Sequence, residues 1–261
     1  MLVRIITGGT LAIYSTLAIV VGGPLLLWSV FALTIISAYE LFLMLKNNNK
    51  KASMFFGLAA IFLGFISLAM FNLHPIVISW PCKIFILGLI IFYIVELFLK
   101  RLYFPNMKFL STIRVIIFFL GTMSYIYLIR NTDNGLVNLL YASVLVWVSD
   151  TFSLFGGLKF GKTPLTSISP NKTFEGSLSG IGATLLFGLI LSFLFHLPIL
   201  FYLFLALVIA LLAQIGDLHE SLTKRIFNKK NSSDILPGHG GIYDRIDSCL
   251  FVMPVIFYLI T

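Results

Sequence analysis

Asp217, Asp244 and Asp247 are three of only ten carboxylates in a 261-residue chain, and they lie in or beside its longest polar segment, residues 221–247. With Asp217 and Glu220 just ahead of it, this segment carries five of the ten carboxylates and five of the eighteen lysines and arginines. Its centre, Pro237-Gly238-His239-Gly240-Gly241, is a glycine-rich loop whose backbone N–H groups can approach an anion closely. Lys224, Arg225, Lys229, Lys230 and Arg245 flank the loop, and Asp244 and Asp247 stand three residues apart. Hard oxygen ligands beside a phosphate-binding loop suit Mg²⁺, which commonly takes one or two carboxylates plus substrate phosphates. Each part alone is ordinary, because a glycine-rich loop is usually a turn and basic residues beside a membrane span are often topological. Together they indicate phosphate chemistry at a membrane surface.

A second polar loop, about residues 156–177, holds Ser169-Pro170-Asn171-Lys172-Thr173-Phe174-Glu175-Gly176. It offers hydroxyls, a base and an acid to a site, and equally a capped helix start with Thr173 or Ser177 as the cap. Glu40 and Glu96 read as interfacial residues or as partners of basic neighbours. His74 and His196 fall at turns and His219 near a helix end, so only His239 sits in a loop with chemistry around it.

The elements that must position these residues are membrane helices. The chain is 59% hydrophobic and 11% charged, with a mean hydropathy of +1.03, whereas soluble domains keep roughly a quarter of their residues charged. The apolar runs are too long for barrel strands. The expectation is an all-α, polytopic integral membrane protein of about nine transmembrane helices, near residues 1–21, 25–45, 54–72, 76–99, 110–128, 136–154, 178–195, 199–215 and 248–261. The first is expected to be an uncleaved span. The last is only 14 residues, short of the usual ~17–25, so the count is eight if it stops partway. Loops after even-numbered spans carry nearly all the lysines and arginines, and loops after odd-numbered spans carry only Arg130. That asymmetry puts the N-terminus and the polar loops in the cytoplasm, and it accounts for the net charge of +8 without nucleic acid. Cys82 and Cys249 then lie on opposite sides and form no disulfide.

Depth brings carboxylates from three separate helix ends to one level. Asp150 lies about 22 Å along the sixth span from Gly135, and Asp217 about 28 Å along the eighth from Pro198, at ~1.5 Å per residue. Asp244 and Asp247 begin the ninth run on the same side. If the eighth helix continues past the boundary, Asp217, Glu220, Ser221 and Lys224 share one face at i, i+3, i+4 and i+7. The chain reads as a single domain, with spans up to about residue 130 as scaffold and residues 136–261 as the half bearing the polar loops 156–177 and 217–247.

Ser221-x-x-Lys224-Arg225, Lys230 and Pro237-Gly238-His239-Gly240-Gly241-x-x-Asp244-Arg245-x-Asp247 resemble the signature of the phosphatidate cytidylyltransferase (CDP-diacylglycerol synthase) family. Gln214-x-Gly216-Asp217-Leu218-x-Glu220-Ser221, Ser169-Pro170-x-Lys172-Thr173-x-Glu175-Gly176 and Asp150-Thr151 are similar to it too. The likeness covers roughly the C-terminal 40% of the chain. It departs at Asn231, where the family usually has Asp, at Thr223, where an apolar residue is usual, and at Ser153-Leu154, which replace Ala-Tyr. The resemblance implies that CTP and phosphatidic acid give CDP-diacylglycerol and pyrophosphate. It also implies Mg²⁺, a homodimer, and a site facing the cytoplasm, here of a bacterial inner membrane.

On this resemblance Asp217 and Asp244 hold Mg²⁺, with Asp247 a third ligand or a support for the others. Lys224, Arg225, Lys230 and Arg245 bind phosphates of CTP or the lipid. Gly238, His239, Gly240 and Gly241 cradle the nucleotide phosphates, and Ser169, Lys172 and Ser221 complete the substrate site. Asp150 orients a base or ligates a second cation. A CTP-dependent polyprenol kinase or a cytidylyltransferase for another lipid phosphate is the nearest rival. A transporter would be expected to place its charges at mid-membrane rather than at one surface.

Overall fold

The computed structural model describes residues 2–47, 52–70, 80–101, 108–236 and 240–261, the side chains of residues 2–6, 47 and 80 excepted. Nine helices account for nearly all of it: α1 Leu2–Val21, α2 Gly23–Asn47, α3 Met54–Met70, α4 Trp80–Leu99, α5 Lys108–Arg130, α6 Gly135–Phe160, α7 Phe174–Leu194, α8 Ile199–Ile226 and α9 Tyr243–Ile260. Among the described residues there is no strand, only isolated bridges at Pro164–Thr173 and Leu236–Gly240. Six of the helices, α2 and α4 to α8, are long and apolar enough to cross a membrane. The protein is a polytopic membrane protein.

Turn chemistry divides the helices where the sequence predicts. Gly22 and Gly23 take φ of 68° and 51° between α1 and α2. Arg130, at the far end of α5, donates to the last carbonyls of α1, Nε to Ile19 at 2.9 Å and Nη2 to Val20 at 3.2 Å. His196 turns the chain between α7 and α8 with φ of 52°, and Asn228 stops α8 in the left-handed conformation with φ of 53°. Thr173 is the cap of α7, accepting from Gly176 N–H at 3.2 Å.

Three boundaries extend beyond the hydropathy expectation. The α8 helix runs eleven residues past the predicted end at 215, to Ile226. The α6 helix continues to Phe160. The α9 helix starts at Tyr243, so Asp244 and Asp247 lie on its first turns rather than ahead of it. A helix that leaves lipid needs only side-chain pairs and caps to continue, and hydropathy does not register these.

The buried core is built around α5 and α9. Val115, Phe119, Met123 and Ile129 of α5 pack with Leu250, Phe251, Val252, Met253 and Phe257 of α9. Outer helices leave Phe55, Phe98, Leu158 and Leu200 exposed, as a lipid-facing surface requires. The helices α6 and α7 meet most closely, along a seam of small residues that includes Ser149, Ser153, Gly156, Gly176 and Gly180. Tyr141, Tyr202 and Asn138 tie α6 to α7 and α8 at the end away from the polar loops, with Tyr141 Oη to Tyr202 O at 2.7 Å and Tyr202 Oη to Asn138 Oδ1 at 2.6 Å. Cys82 and Cys249 are both free thiols.

Because a Cβ at Gly180 would come within 2.0 Å of Ser153 Oγ and 3.0 Å of Ser149 O, Gly180→Leu must push α6 and α7 apart. It should destabilise the protein by about 1–3 kcal/mol, seen as a lower melting temperature in detergent. Gly182→Leu, where a Cβ meets nothing within 4 Å, should leave the melting temperature unchanged.

Candidate active site

The helices alternate in direction, so the C-terminal ends of α2, α4, α6 and α8 gather with the N-terminal ends of α5, α7 and α9. At this end a chain of contacts joins elements far apart in sequence. Ser248 Oγ of α9 reaches Ala213 O of α8 at 3.2 Å and Asp150 Oδ1 of α6 at 3.4 Å. Gln214 of α8 and Ser177 of α7 bond each other twice, Nε2 to the Ser177 carbonyl at 3.0 Å and the Ser177 hydroxyl to Oε1. At Gly216 the backbones of α8 and α9 almost touch. A Cβ there would lie 2.5 Å from Asp247 O and 3.0 Å from Ser248 Cα. That close approach sets Asp217 beside Asp247.

The long α8 makes the rest possible. Asp217, Glu220, Ser221 and Lys224 do lie on one continuous helix. Oxygens of Asp217, Glu220 and Asp247 come within 4.8 Å of one another. Glu220 and Asp247 are buried, and the Asp217 side chain is 41% exposed, so the cluster opens on one side. Three hard carboxylate oxygens at this spacing fit a single divalent cation, whose metal–oxygen distances are about 2.0–2.1 Å for Mg²⁺ and 2.3–2.6 Å for Ca²⁺.

Two lysines face the same carboxylates. Lys172 Nζ, from the loop before α7, lies 2.6 Å from Asp217 Oδ1 and donates to Ser221 Oγ at 3.2 Å. Lys224 Nζ sits between Glu220 Oε1 at 2.7 Å and Asp244 Oδ1 at 3.1 Å. Asp244 is turned towards Lys224 and the loop backbone, accepting from Gly241 N–H at 2.9 Å and Ser232 N–H at 3.1 Å. The Gly241 amide is therefore engaged within the loop, and Gly240 adopts φ of 84° where Leu236 N–H reaches its carbonyl at 2.9 Å.

Arg225, Lys229, Lys230 and Arg245 are exposed around this centre, with Arg225 Nη1 on the Lys229 carbonyl at 3.2 Å. Ser169 is buried, and its carbonyl accepts from Lys172 N–H at 3.0 Å, so it shapes the turn that aims Lys172. Asn231 is exposed, and its side chain lies 3.5 Å from where a Cβ on Gly240 would be, next to Asp244 Oδ2. An aspartate there would add a second carboxylate beside Asp244. Pro237, Gly238 and His239 lie outside the described residues, as does His74.

Three acids matter more than the sequence suggested. Glu220 joins the carboxylate cluster, and its i+3 spacing from Asp217 was the available signal. Glu96 of α4 holds Arg114 of α5 in a two-pronged pair at 2.6 and 2.7 Å, with His219 Nε2 at 3.5 Å from the same carboxylate. His219 is enclosed by Tyr93, Phe118 and Phe251. Glu40 of α2 is wholly buried and accepts four hydrogen bonds from the polar loop and the start of α9. Nothing local announces either of the last two pairings.

The cytidylyltransferase family model matches residues 2–261. The chain is also similar to a protein of Bacillus subtilis (strain 168) named phosphatidate cytidylyltransferase, at 44% identity over 140 residues. Proteins of the same name from Staphylococcus haemolyticus (strain JCSC1435) and Staphylococcus aureus (strain COL) are 40% and 39% identical over 141 residues. The matched stretch is 52–53% of this chain, and it spans about half the length of these curated relatives, 52% of the first and 54% of the other two.

The geometry separates the acids by the part each would take in binding a cation. Glu220→Gln and Asp247→Asn should each weaken Mn²⁺ binding by more than about ten-fold, because even a group that only orients a ligand costs about 10–100-fold. Titration followed by electron paramagnetic resonance measures this, with Asp133→Asn, on an exposed turn at the opposite end, expected to match the parent protein.

Proposed function

Since this chain belongs to the cytidylyltransferase family, we propose that it transfers a cytidylyl group from CTP to phosphatidic acid, releasing CDP-diacylglycerol and pyrophosphate. The observation that carries this reading is the convergence of Asp217, Glu220 and Asp247 with Lys172 and Lys224 at one end of the bundle. Both polar loops meet there, at one end of the bundle of apolar helices. The relatives named phosphatidate cytidylyltransferase support the choice of substrates.

In this reaction a phosphate oxygen of phosphatidic acid attacks the α-phosphorus of CTP. The bond from that phosphorus to the bridging oxygen breaks, and pyrophosphate leaves with the electron pair. A phosphate monoester has its second pKa near ~6, so the nucleophile is already largely ionised at neutral pH and needs no strong base. The difficulty is bringing two polyanions into line, which is a matter of positioning and charge. Asp217, Glu220 and Asp247 would hold Mg²⁺, which when bound supplies charge neutralisation at the CTP phosphates. Lys172 and Lys224 would share their carboxylate partners with phosphate oxygens. Arg225, Lys230 and Arg245, on the exposed rim, would draw CTP and the lipid headgroup inward. Asp244 would keep Lys224 and the glycine-rich loop in register.

The excess of lysine and arginine at the site's end of the bundle supports a cytoplasmic site and a cytoplasmic N-terminus, in the cytoplasmic membrane if the cell is bacterial like the relatives. The homodimer that the resemblance implies would be checked by mass measurement in detergent.

Purified protein in detergent should release pyrophosphate only when CTP, Mg²⁺ and phosphatidic acid are all present. Asp217→Asn should lower kcat/KM by a factor on the order of 100 or more, since a bound metal is worth several kcal/mol in such reactions. Turnover with a polyprenol instead of phosphatidic acid would replace this reading with that of a kinase. Full turnover by Asp217→Asn would overturn the assigned cation site.

A further inference from the structure

Glu40 is the one carboxylate of α2, and its side chain is 0% exposed. Its two oxygens divide four donors evenly. Oε1 accepts from the Ser233 hydroxyl at 2.5 Å and Ile242 N–H at 3.0 Å. Oε2 accepts from the Ser232 hydroxyl at 2.8 Å and Tyr243 N–H at 2.9 Å. All four donors are neutral.

The donors come from two places in the chain. Ser232 and Ser233 open the glycine-rich segment, and Ile242 and Tyr243 close it at the first turn of α9. Orphan amides at a helix start are normally met by a neighbouring side chain, but the residue at the cap position of α9 is Ile242, which makes no side-chain cap. The acceptor is supplied from α2, some two hundred residues earlier in the chain. A local Ser or Asp could cap α9. It could not also tie both ends of residues 232–243 to a third helix.

The two loop ends that Glu40 grips are those that orient Asp244. Ser232 N–H and Gly241 N–H both donate to Asp244, which in turn faces Lys224. Asp247 follows one turn later on α9. We propose that Glu40 is a positioning residue for the candidate active site. It is a buried clamp that fixes Ser232, Ser233, Ile242 and Tyr243 on α2, and so sets where Asp244 meets Lys224 and where Asp247 meets Asp217 and Glu220. The catalytic part of this inference rests on the cytidylyltransferase reading. The clamp itself does not.

Glu40→Gln tests it sharply. The two backbone amides bond to different oxygens, and neither amide can accept, so either orientation of the glutamine sets its NH₂ against one N–H. In this variant, amide exchange over residues 232–244, followed by mass spectrometry, should accelerate, and Mn²⁺ affinity should fall about ten-fold or more. KM for CTP should rise or kcat fall, with exchange in α6 and α7 unchanged. The double variant Ser232→Ala with Ser233→Ala keeps both amide bonds and should show a smaller change of the same kind. It also serves if Glu40→Gln does not fold. Parent-like exchange over 232–244 and parent-like Mn²⁺ affinity would overturn the proposal. So would a lower melting temperature with unchanged KM, kcat and Mn²⁺ affinity in the folded protein, which makes Glu40 a stability residue only. If the parent protein turns over no CTP, the cytidylyltransferase reading fails alone, and the exchange and cation measurements still decide the clamp.

Discussion

A carboxylate beside lipid is tolerated only when something meets its charge, and this protein buries Glu40, Glu96, Glu220 and Asp247 at one end of a helical bundle. The four are met in two different ways. Glu40 has four neutral donors aimed at its two oxygens, and Glu96 has the two N–H prongs of Arg114. Each is satisfied by groups from a distant element, so each pins helices together. Glu220 and Asp247 are instead brought together with Asp217. Like charges held this close repel unless cations join them, and the fold maintains the arrangement through the backbone contact at Gly216. The satisfied acids build the frame, and the crowded ones are where binding is to be expected.

This division explains why so much of the sequence reads as plain hydropathy. Lipid-facing and core positions tolerate many apolar side chains, so the nine apolar runs mark the nine described helices within a few residues at most boundaries. Hydropathy fails where a helix leaves the lipid. The last turns of α8 and the first of α9 are polar, and their helicity depends on pairs such as Glu220–Lys224 and on amides met by Glu40. The sequence could show that Asp217, Asp244 and Asp247 reach one depth. It could not show that Asp217 and Asp247 would be drawn together with Glu220 while Asp244 turned to the loop amides, because lateral position depends on which helices touch. Glu40 and Glu96 looked bland for the same reason. The partners of Glu40 lie about two hundred residues away, and no local pattern encodes a pairing of that span.

Not every cation at this end serves the same purpose. Arg114 is fixed by two short bonds to Glu96 and packs over Phe92 and Tyr93, so it is unsuited to following a substrate. Lysines are different. A single ammonium on a flexible stem can change partners with little rearrangement. Lys172 and Lys224 both lie against carboxylates that are candidates for other work. Arg114 thus stands where rigidity is wanted, and Lys172 and Lys224 where exchange is.

Formal charge makes the exchange plausible. Counted as fully ionised, Asp217, Glu220, Asp244 and Asp247 would contribute four negative charges and Lys172 and Lys224 two positive ones, a formal total of −2 for the inner cluster. One divalent cation would cancel that residue of charge. Both lysines could then share their carboxylate partners with phosphate oxygens. An incoming nucleotide would meet a neutral centre edged by Arg225, Lys229, Lys230 and Arg245, rather than an acidic one. On the proposed reading the cation and the nucleotide therefore favour each other's binding, since each removes the charge that would oppose the other.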